Sequence, residues 1–418
     1  MTIDIEKQYN WPDLPNKPAP GAPYYTPIQE IPAGAAKDPE HAPALFKPIQ
    51  IRGLKLQNRI FLSPLCQYSA DDGHVTDWQL THIGGIVQRG PGLTCVESSA
   101  VMARGRSTPQ HSGIYKDSHV EPWKRVVDFA HSQGQHIIIQ MGHAGWKSST
   151  VAPWLDRANI AIEKNGGWPT QIQGPSAIAY AKHFPVPNEM TLEDIEEFKA
   201  AYAAAAKRAM KAGFDGIELH AAHGYLMHSF YSPVSNKRTD KYGGSFENRT
   251  RLILEVAEIV RRELPEDKVL FARITGTDWL DYEGSPEPES WTLNDAIKLG
   301  HLLADRGVDL LDVSSGGISP HQRISRDEDY QADLSLAIKK SVGDKIKVTA
   351  VGRITSGKQA NRYIEAGLDA VFVGRLFQKN PGLVWQFAEE LNTPIKLANQ
   401  IEWGFARRDN NGTTSDKA

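Results

Sequence analysis

Eight short runs of apolar and β-branched residues recur along the chain at intervals that leave room for a helix between them. Each run holds four to seven residues. None alternates strictly between apolar and polar positions, which is typical of parallel strands buried on both faces. We therefore predict eight parallel strands, at residues 59–63, 93–97, 136–141, 215–220, 268–274, 309–313, 347–351 and 370–373.

The segments between these runs carry apolar residues at helical spacing. In the clearest one, residues 192–212, Thr191 followed by Leu-Glu-Asp gives a capping box and Gly213 gives a stop. Thr292 and Ser356 open two later helices in the same way. Eight strand-helix units predict a single (β/α)8 TIM barrel, an α/β fold of about 250 residues plus insertions. A doubly wound open sheet is the alternative, but no Gly-x-Gly-x-x-Gly turn follows any run, which disfavours a dinucleotide-binding sheet.

Three segments exceed a minimal barrel. Residues 1–44 are rich in proline, glycine and alanine without a sustained period, so we expect an extended N-terminal arm. Residues 145–190, between the third strand and its helix, are too long for a simple connection and are expected to form a lid or a subunit contact. The polar residues 409–418 predict a disordered tail, which leaves 45–408 as the barrel domain.

Composition narrows the class of partner and the compartment. The 47 Lys and Arg residues nearly balance the 50 Asp and Glu residues, which argues against nucleic-acid or membrane-surface binding. No apolar run is long enough for a transmembrane helix, and the charged N-terminus lacks the apolar core of a secretory signal. The two cysteines, Cys66 and Cys95, exclude a disulfide framework and favour the cytoplasm. Cys95, inside an apolar run, is expected to be a small buried hydrophobe.

Two Gly-Arg pairs follow consecutive predicted strands. Gly352-Arg353 follows the seventh strand and Gly374-Arg375 follows the eighth. In TIM barrels the active site lies at the C-terminal ends of the strands, and phosphate groups often bind after strands seven and eight. Glycine exposes backbone N–H groups, and arginine donates paired hydrogen bonds to phosphate oxygens. The repeated pair therefore indicates a phosphate site.

Two imidazoles and a phenol leave the fourth predicted strand within six residues: His220, His223 and Tyr225. Such side chains suit hydrogen bonding or proton transfer to a ligand at the mouth of the barrel. One alternative is a pair of structural histidines satisfied by their neighbours. Another is the metal site of a barrel hydrolase or aldolase, for which no third or fourth ligand is evident.

Other strand ends add polar groups at the same mouth. The first strand leads into Ser-Pro-Leu-Cys-Gln-Tyr at residues 63–68, and the third contributes Gln140 and His143. Arg273 lies inside the apolar fifth strand, where an unpaired charge is costly. Its partner is either a buried carboxylate such as Glu218 or negative charge on a bound ligand.

These residues together resemble the old yellow enzymes, a family of FMN-dependent (β/α)8 ene-reductases. The resemblance covers residues 45–404 and includes Arg273 and both Gly-Arg pairs. Cys66 with Tyr68 two positions on is similar to the thermophilic-like branch, whereas many members have threonine at the cysteine position. The motifs are Ser-Pro-Leu-Cys-Gln-Tyr at 63–68, Gln-Met-Gly-His-Ala-Gly at 140–145, His-Ala-Ala-His-Gly-Tyr at 220–225 and the run 232–249.

The resemblance implies an FMN site. Arg273 would face the N1/O2 edge of the flavin, where negative charge appears on reduction. The phosphate would lie among the two Gly-Arg pairs, Gly352, Arg353, Gly374 and Arg375. The residues expected around the flavin ring are Ser63, Pro64, Leu65, Cys66, Ser98 and Gln140.

The resemblance also implies the reaction. NADPH or NADH would reduce the flavin and leave, and an activated alkene would then accept hydride at its β-carbon in the same pocket. His220 and His223 would bind the carbonyl or nitro oxygen, Tyr225 would protonate the α-carbon, and Tyr68 would line the pocket. One pocket for both partners explains the missing dinucleotide motif. A flavin barrel with a sensor or specialised biosynthetic role stays the alternative, and the resemblance is compatible with a homodimer or higher homo-oligomer.

Two tryptophans depart from the closely similar branch. Trp146 stands where those members carry an arginine after the third-strand motif. Trp403 stands where they place an arginine that reaches a neighbouring subunit. Both positions bear on the shape of the pocket and on subunit contacts, so substrate range and assembly transfer least well from the family.

Overall fold

The predicted strands form one closed barrel. The computed structural model describes residues 13–156 and 159–405, together with the backbone of 407–408 and 414–415. All neighbouring barrel strands are parallel and follow chain order around the barrel, which confirms the predicted (β/α)8 fold. The strands are β1 (Ile60–Leu62), β2 (Leu93–Ala100), β3 (Ile137–Gly142), β4 (Gly216–Ala221), β5 (Val269–Thr275), β6 (Leu310–Ser314), β7 (Lys347–Val351) and β8 (Ala370–Val373).

Helices separate successive strands and cover the barrel. They are α1 (Asp77–Val87), α2 (Val120–Ser132), α3 (Leu192–Ala212), α4 (Leu226–Tyr231), α5 (Phe246–Glu263), α6 (Leu293–Ala304), α7 (Ala332–Val342), α8 (Gly357–Glu365), α9 (Arg375–Lys379), α10 (Leu383–Glu390) and α11 (Asn399–Glu402). The predicted caps are confirmed. Thr191 and Thr292 form capping boxes, Ser356 accepts from the Gln359 N–H, and Gly213 ends α3 with φ of 93°.

A short antiparallel hairpin, Ile49–Ile51 with Leu54–Leu56, closes the N-terminal end of the barrel. Its buried side chains pack in one cluster with residues near the starts of the strands, among them Leu93, Val269 and Leu310. A second, larger cluster fills the space between the barrel and its helices. Because apolar side chains fill the N-terminal end, the polar side chains inside the barrel concentrate toward the C-terminal end.

The long connection after β3 is present, from the end of that strand at Gly142 to the start of α3 at Leu192. It contains short turns of 3-10 helix at Gly145–Lys147 and Glu163–Asn165. The short strands Gln173–Gly174 and Asn188–Glu189 pair within it. The connection therefore has internal structure of its own.

The described part of the N-terminal arm lies against the C-terminal segment. Gln29 donates to Gln400 at 2.7 Å, and Ala36 pairs with Ile395. Residues 1–12 and most of the predicted tail, 409–418, lie outside the described residues, so the domain boundaries stay predictions. No helix among the described residues has the length and apolar character needed to cross a membrane.

Candidate active site

A cavity of about 980 Å³ opens at the C-terminal ends of the strands. Parallel strands end at the same edge, so residues that follow different strands meet there although they are far apart in sequence. All the residues that the sequence assigned to the site, apart from His143, line this one cavity: Ser63, Pro64, Leu65, Cys66, Tyr68, Ser98, Gln140, His220, His223, Tyr225, Arg273, Gly352, Arg353, Gly374 and Arg375.

Arg273 on β5 is 4% exposed and is held by side chains from neighbouring parts of the barrel. Its Nε donates to Oδ2 of Asp312 on β6 at 2.6 Å, and its Nη2 donates to Oγ of Ser63 at 2.9 Å. Oε1 of Glu218 lies 3.7 Å from its Nε. Burial disfavours its charge, but Asp312 and Glu218 outweigh this and the pKa of Arg273 is raised. Buried carboxylates are therefore its partners within the protein, and because Arg273 also lines the cavity, the alternative of a negatively charged ligand stays a prediction.

Glu218 connects this arginine to Gln140. Its Oε1 accepts from Nε2 of Gln140 at 2.6 Å, whereas its Oε2 has no hydrogen-bond partner. Burial raises the pKa of the Glu218 carboxyl. Cys95, 1% exposed, lies beside it and is the small buried residue that the sequence predicted. The side chains of β2–β6 are thus organised around one charge network below the cavity.

His220, His223 and Tyr225 cluster at the turn between β4 and α4. His223 and Gly224 both have left-handed backbone, with φ of 61° and 73°. The His220 ring centroid lies 5.2 Å from that of His223 and 4.9 Å from that of Tyr225. Both pairs are close to perpendicular, at 86° and 88°. The turn therefore gathers all three side chains at the wall of the cavity.

The polar atoms of this cluster are only partly satisfied by the protein. Nε2 of His223 lies 2.6 Å from Oγ of Ser314, at the end of β6. Nδ1 of His220 is buried without a hydrogen-bond partner. The phenol of Tyr225 forms no hydrogen bond with the described residues. Because buried polar groups normally have partners, the unpartnered Nδ1 of His220 suits a site at which a ligand supplies the missing bond.

Burial sets the protonation states of the cluster. It lowers the pKa of His223 to about 3, with Arg273 and Lys147 contributing, and holds the pKa of His220 well below its usual range. Both rings are therefore neutral near pH 7. Burial also raises the pKa of Tyr225, so the phenol keeps its proton. The cluster offers neutral donors, which can stabilise negative charge that develops on a ligand oxygen.

The two Gly-Arg pairs stand at the other side of the cavity. Gly352 and Arg353 both have positive φ, 97° and 53°. Nη1 of Arg353 donates to the carbonyl oxygens of Ser325 and Asp327 at 3.0 and 2.8 Å. Arg375 forms no ion pair with the described residues and is exposed. Arg353 therefore also fixes the loop after β6, a role that the sequence did not indicate.

Some residues singled out from the sequence lie elsewhere. His143 does not line the cavity; it is buried against Phe198, and its Nδ1 accepts from the Gly145 N–H at 3.0 Å. Trp146 is buried behind the His223–Gly224 turn, where its Nε1 donates to the Gly224 carbonyl at 2.6 Å. Trp403 is 67% exposed and donates to the Gln400 carbonyl. Only Trp146 therefore contacts the site.

Sequence reasoning missed the loop between β6 and α7. Ser314, Ser315, Tyr330 and Gln331 all line the cavity. Gln331 accepts from Oγ of Ser315 at 2.7 Å and donates to the Val351 carbonyl at 2.5 Å. The two serines directly follow a predicted strand, so the rule applied to the other strands would have found them. Gln331 carried no such signal, because it lies 17 residues past the strand end at Ser314.

A buried carboxyl that the sequence did not indicate supports the loop after β1. Glu97 accepts from the backbone N–H of Gln67 and from Nε2 of Gln79. Burial raises its pKa to about 7. Burial, with Glu97 nearby, also raises the pKa of the Cys66 thiol, which therefore stays protonated at neutral pH. Cys66 is presented to the cavity as a neutral group.

The metal alternative gains no support from the geometry. Within the described ranges, no group of three or more His, Cys, Asp or Glu side chains could hold a metal ion. The cavity instead combines a permanent cation, two Gly-Arg pairs and neutral donors, a set suited to an anionic, planar and phosphorylated group.

The chain matches the model of the NADH:flavin oxidoreductase / NADH oxidase family over residues 44–394. It is 53% identical to an NADH:flavin oxidoreductase of Gibberella zeae over 405 residues, which cover 96% of this chain and 98% of the relative. It is 39% identical to an NADPH dehydrogenase of Geobacillus sp. over 364 residues, which cover 86% of this chain and 98% of that relative.

Two solved structures share this fold. An Old Yellow Enzyme from Pichia sp. superposes with a TM-score of 0.67 at 26% identity, covering 86% of this chain and 89% of that one. Morphinone reductase in complex with tetrahydroNAD superposes with a TM-score of 0.65 at 27% identity, covering 84% of this chain and 92% of that one.

Proposed function

The chain belongs to the NADH:flavin oxidoreductase / NADH oxidase family and is an FMN- and NAD(P)H-dependent oxidoreductase of the old yellow enzyme type, and from this we propose that it reduces activated alkenes. The substrates are α,β-unsaturated aldehydes, ketones or imides, and nitroalkenes. The observation that carries the proposal is the cluster of His220, His223 and Tyr225 at the wall of a cavity that Arg273 also lines, with Nδ1 of His220 left without a partner.

The residues present fit FMN. Arg273 is a buried cation able to face the electron-rich edge of a flavin ring, and Gly352, Arg353, Gly374 and Arg375 would hold its phosphate. When bound, FMN would supply the redox chemistry that couples oxidation of NADPH or NADH to hydride addition at the β-carbon of the alkene. The residues that would surround the ring are Ser63, Pro64, Leu65, Cys66, Ser98 and Gln140.

His220 and His223 would bind the carbonyl or nitro oxygen of the substrate. Both rings are neutral, so each can present an N–H to an oxygen without releasing a proton. Hydrogen bonds of this kind strengthen as the oxygen gains negative charge, which lowers the barrier to hydride addition at the β-carbon. The two histidines therefore activate the alkene rather than protonate it. Tyr68, at the same cavity, would form a wall of the substrate pocket.

Tyr225 would deliver the proton to the α-carbon. Its phenol is protonated, because burial raises its pKa, and it is not committed to a structural hydrogen bond among the described residues. A positioned acid of this kind accelerates proton transfer by about 10²–10⁴-fold. The proton would thereby be added at the α-carbon, which is bonded to the carbonyl or nitro group that His220 and His223 bind.

Anaerobic turnover with NADPH and a panel of alkenes tests the proposal. Cyclohexenone should give cyclohexanone, and a nitroalkene should give the nitroalkane. Cyclohexene, which has no oxygen for the histidines to bind, should not react. Flavin reduction by NADPH without turnover of any activated alkene would contradict the proposal and favour a sensor or a specialised biosynthetic role.

A further inference from the structure

The turn that carries His223 is held in an unfavourable backbone conformation. His223 has φ of 61°, a region that residues other than glycine rarely adopt. Such conformations persist only where surrounding contacts fix them, and they concentrate at functional sites. The contacts that fix this turn therefore determine where the His223 ring stands.

Two consecutive residues at the start of the long connection bind this turn. Nε1 of Trp146 donates to the carbonyl oxygen of Gly224 at 2.6 Å. Nζ of Lys147 donates to the carbonyl oxygen of His223 at 2.9 Å and also to that of Gly317. Two successive carbonyls of the turn are thus bound by two successive side chains.

The Lys147 ammonium lies where two turns meet. A Cβ added at Gly224 would lie 2.1 Å from the Gly317 carbonyl oxygen and 3.0 Å from Nζ of Lys147. A Cβ added at Gly317 would lie 2.5 Å from the carbonyl carbon of His223. The backbone after β4 and the backbone after β6 are therefore in direct contact, with Lys147 bound to both.

Lys147 is not held there by a carboxylate. It forms no ion pair with the described residues; its Nζ lies 4.1 Å from the ring centroid of Tyr180, and burial lowers its pKa to about 7. Placing an amine here costs free energy that an apolar residue would avoid. The hydrogen bonds of the Lys147 Nζ to the carbonyl oxygens of His223 and Gly317 offset this cost.

We propose that Trp146 and Lys147 are positioning residues that hold the His223–Gly224 turn, and thereby set the geometry in which His220 and His223 bind the substrate oxygen. The inference rests on the clamp role proposed for the two histidines. Neither residue lines the cavity. Both bind the turn through its carbonyl oxygens, and the Nζ of Lys147 also lies 5.9 Å from the ring centroid of Tyr225.

The test uses the FMN-loaded enzyme and p-hydroxybenzaldehyde, a phenol whose binding over flavin gives a long-wavelength charge-transfer band. Lys147→Met keeps the length of the side chain and removes its donors, and Trp146→Phe keeps a ring and removes the indole N–H. Lys164→Met, at an exposed lysine of the same connection, is the matched control. Lys147→Arg retains a cation and donors.

Lys147→Met should bind the phenol about tenfold more weakly with FMN content unchanged, because the turn loses both backbone hydrogen bonds of the Lys147 Nζ and one such bond is worth up to about a factor of ten. Trp146→Phe should weaken binding to a smaller extent, Lys147→Arg should recover part of the affinity, and Lys164→Met should match the parent. A Kd within twofold of the parent for both Lys147→Met and Trp146→Phe would overturn the inference. The inference would also be overturned if the loss of phenol binding matched the loss of bound FMN, because Trp146 and Lys147 would then only stabilise the fold.

The double variant His220→Ala/His223→Ala separates this inference from the proposed function. Retained phenol binding in that variant would mean that the clamp itself is wrong. If the double variant loses binding while Lys147→Met and Trp146→Phe retain it, the clamp stands and only the positioning role is overturned.

Discussion

Tyr225, half-buried at the cavity wall, differs from fully buried tyrosines of the barrel in what its phenol contacts. Tyr202 donates to the Met141 carbonyl at 3.2 Å, and Tyr231 donates to the Ala221 carbonyl at 2.5 Å. The phenol of Tyr225 has no comparable bond among the described residues, and its ring lines the cavity. At the scale of single residues, this freedom distinguishes a group available to a substrate from groups that hold the fold.

Tyr225→Phe should slow alkene reduction by about 10²–10⁴-fold, because it removes only the proposed proton donor. Flavin reduction by NADPH should keep its rate, since it does not need that proton. Rapid mixing under anaerobic conditions measures the two half-reactions separately. Tyr202→Phe is the control: it should lower thermal stability and leave both rates intact. Undiminished alkene reduction in Tyr225→Phe would mean that water or another acid supplies the proton.

Most side chains of the site were predictable because they directly follow strands. Polar residues at or just past the C-terminal ends of parallel strands usually reach the mouth, as Ser63 and Gln140 do. Lys147 was not predictable, since its contacts depend on how the long connection folds back onto β4. His143 was expected at the mouth, yet it packs against α3 through Phe198.

The elements themselves followed from periodicity and capping. The bounds of α3 agree with the predicted 192–212 because Thr191 and Gly213 are strong local signals that act within one turn of the helix. The short helices α4 and α9 were not predicted, since five or six residues are too few to show a period. The structure inside the 145–190 connection depends on tertiary contacts for the same reason.

Thr191→Ala should lower the free energy of unfolding by about 1 kcal/mol, the usual cost of losing an N-cap hydroxyl. Oγ1 of Thr191 accepts from the backbone N–H of Asp194 at 3.1 Å, and alanine would leave that donor unpaired. Chemical denaturation measures the difference. Thr191→Ser should retain most of the stability, and an equal loss in both variants would show that the methyl group rather than the hydroxyl matters.

On the scale of the whole molecule, the two ends of the barrel differ in polarity. The N-terminal end is closed by the apolar hairpin, and the C-terminal end opens into the polar cavity. Several histidines near the C-terminal end are buried in their neutral form. Burial lowers the pKa of His111 to about 4 and those of His143 and His223 to about 3. The ordinary value is about 6.5 in an unfolded chain. These rings therefore make folding sensitive to acid.

Between pH 6.5 and about 3 the unfolded chain binds more protons at these histidines than the native state does, so the free energy of unfolding should fall as the pH falls. Above pH 6.5 these histidines are neutral in both states and cost the native state no stability. The buried Glu97 carboxyl, whose pKa is raised to about 7, acts in the opposite direction over this interval. Urea unfolding at pH 7.5 and pH 5.5 therefore gives the net change, and a variant that lacks one of these histidines isolates their share. His143→Phe keeps a ring against Phe198 and removes one proton site, so it should lose less stability than the parent over this interval. An equal or greater loss in the variant would contradict the assignment.

Anaerobic reoxidation of the NADPH-reduced enzyme by cyclohexenone tests the central claim most directly. The flavin absorbance bleached by NADPH should return on mixing with cyclohexenone, at a rate that rises with its concentration and yields cyclohexanone in equal amount. In His220→Ala/His223→Ala, NADPH-reduced flavin should remain bleached. Absorbance that stays bleached in the parent enzyme, or that returns equally fast without the two histidines, would contradict a reductase that activates its alkene through this pair.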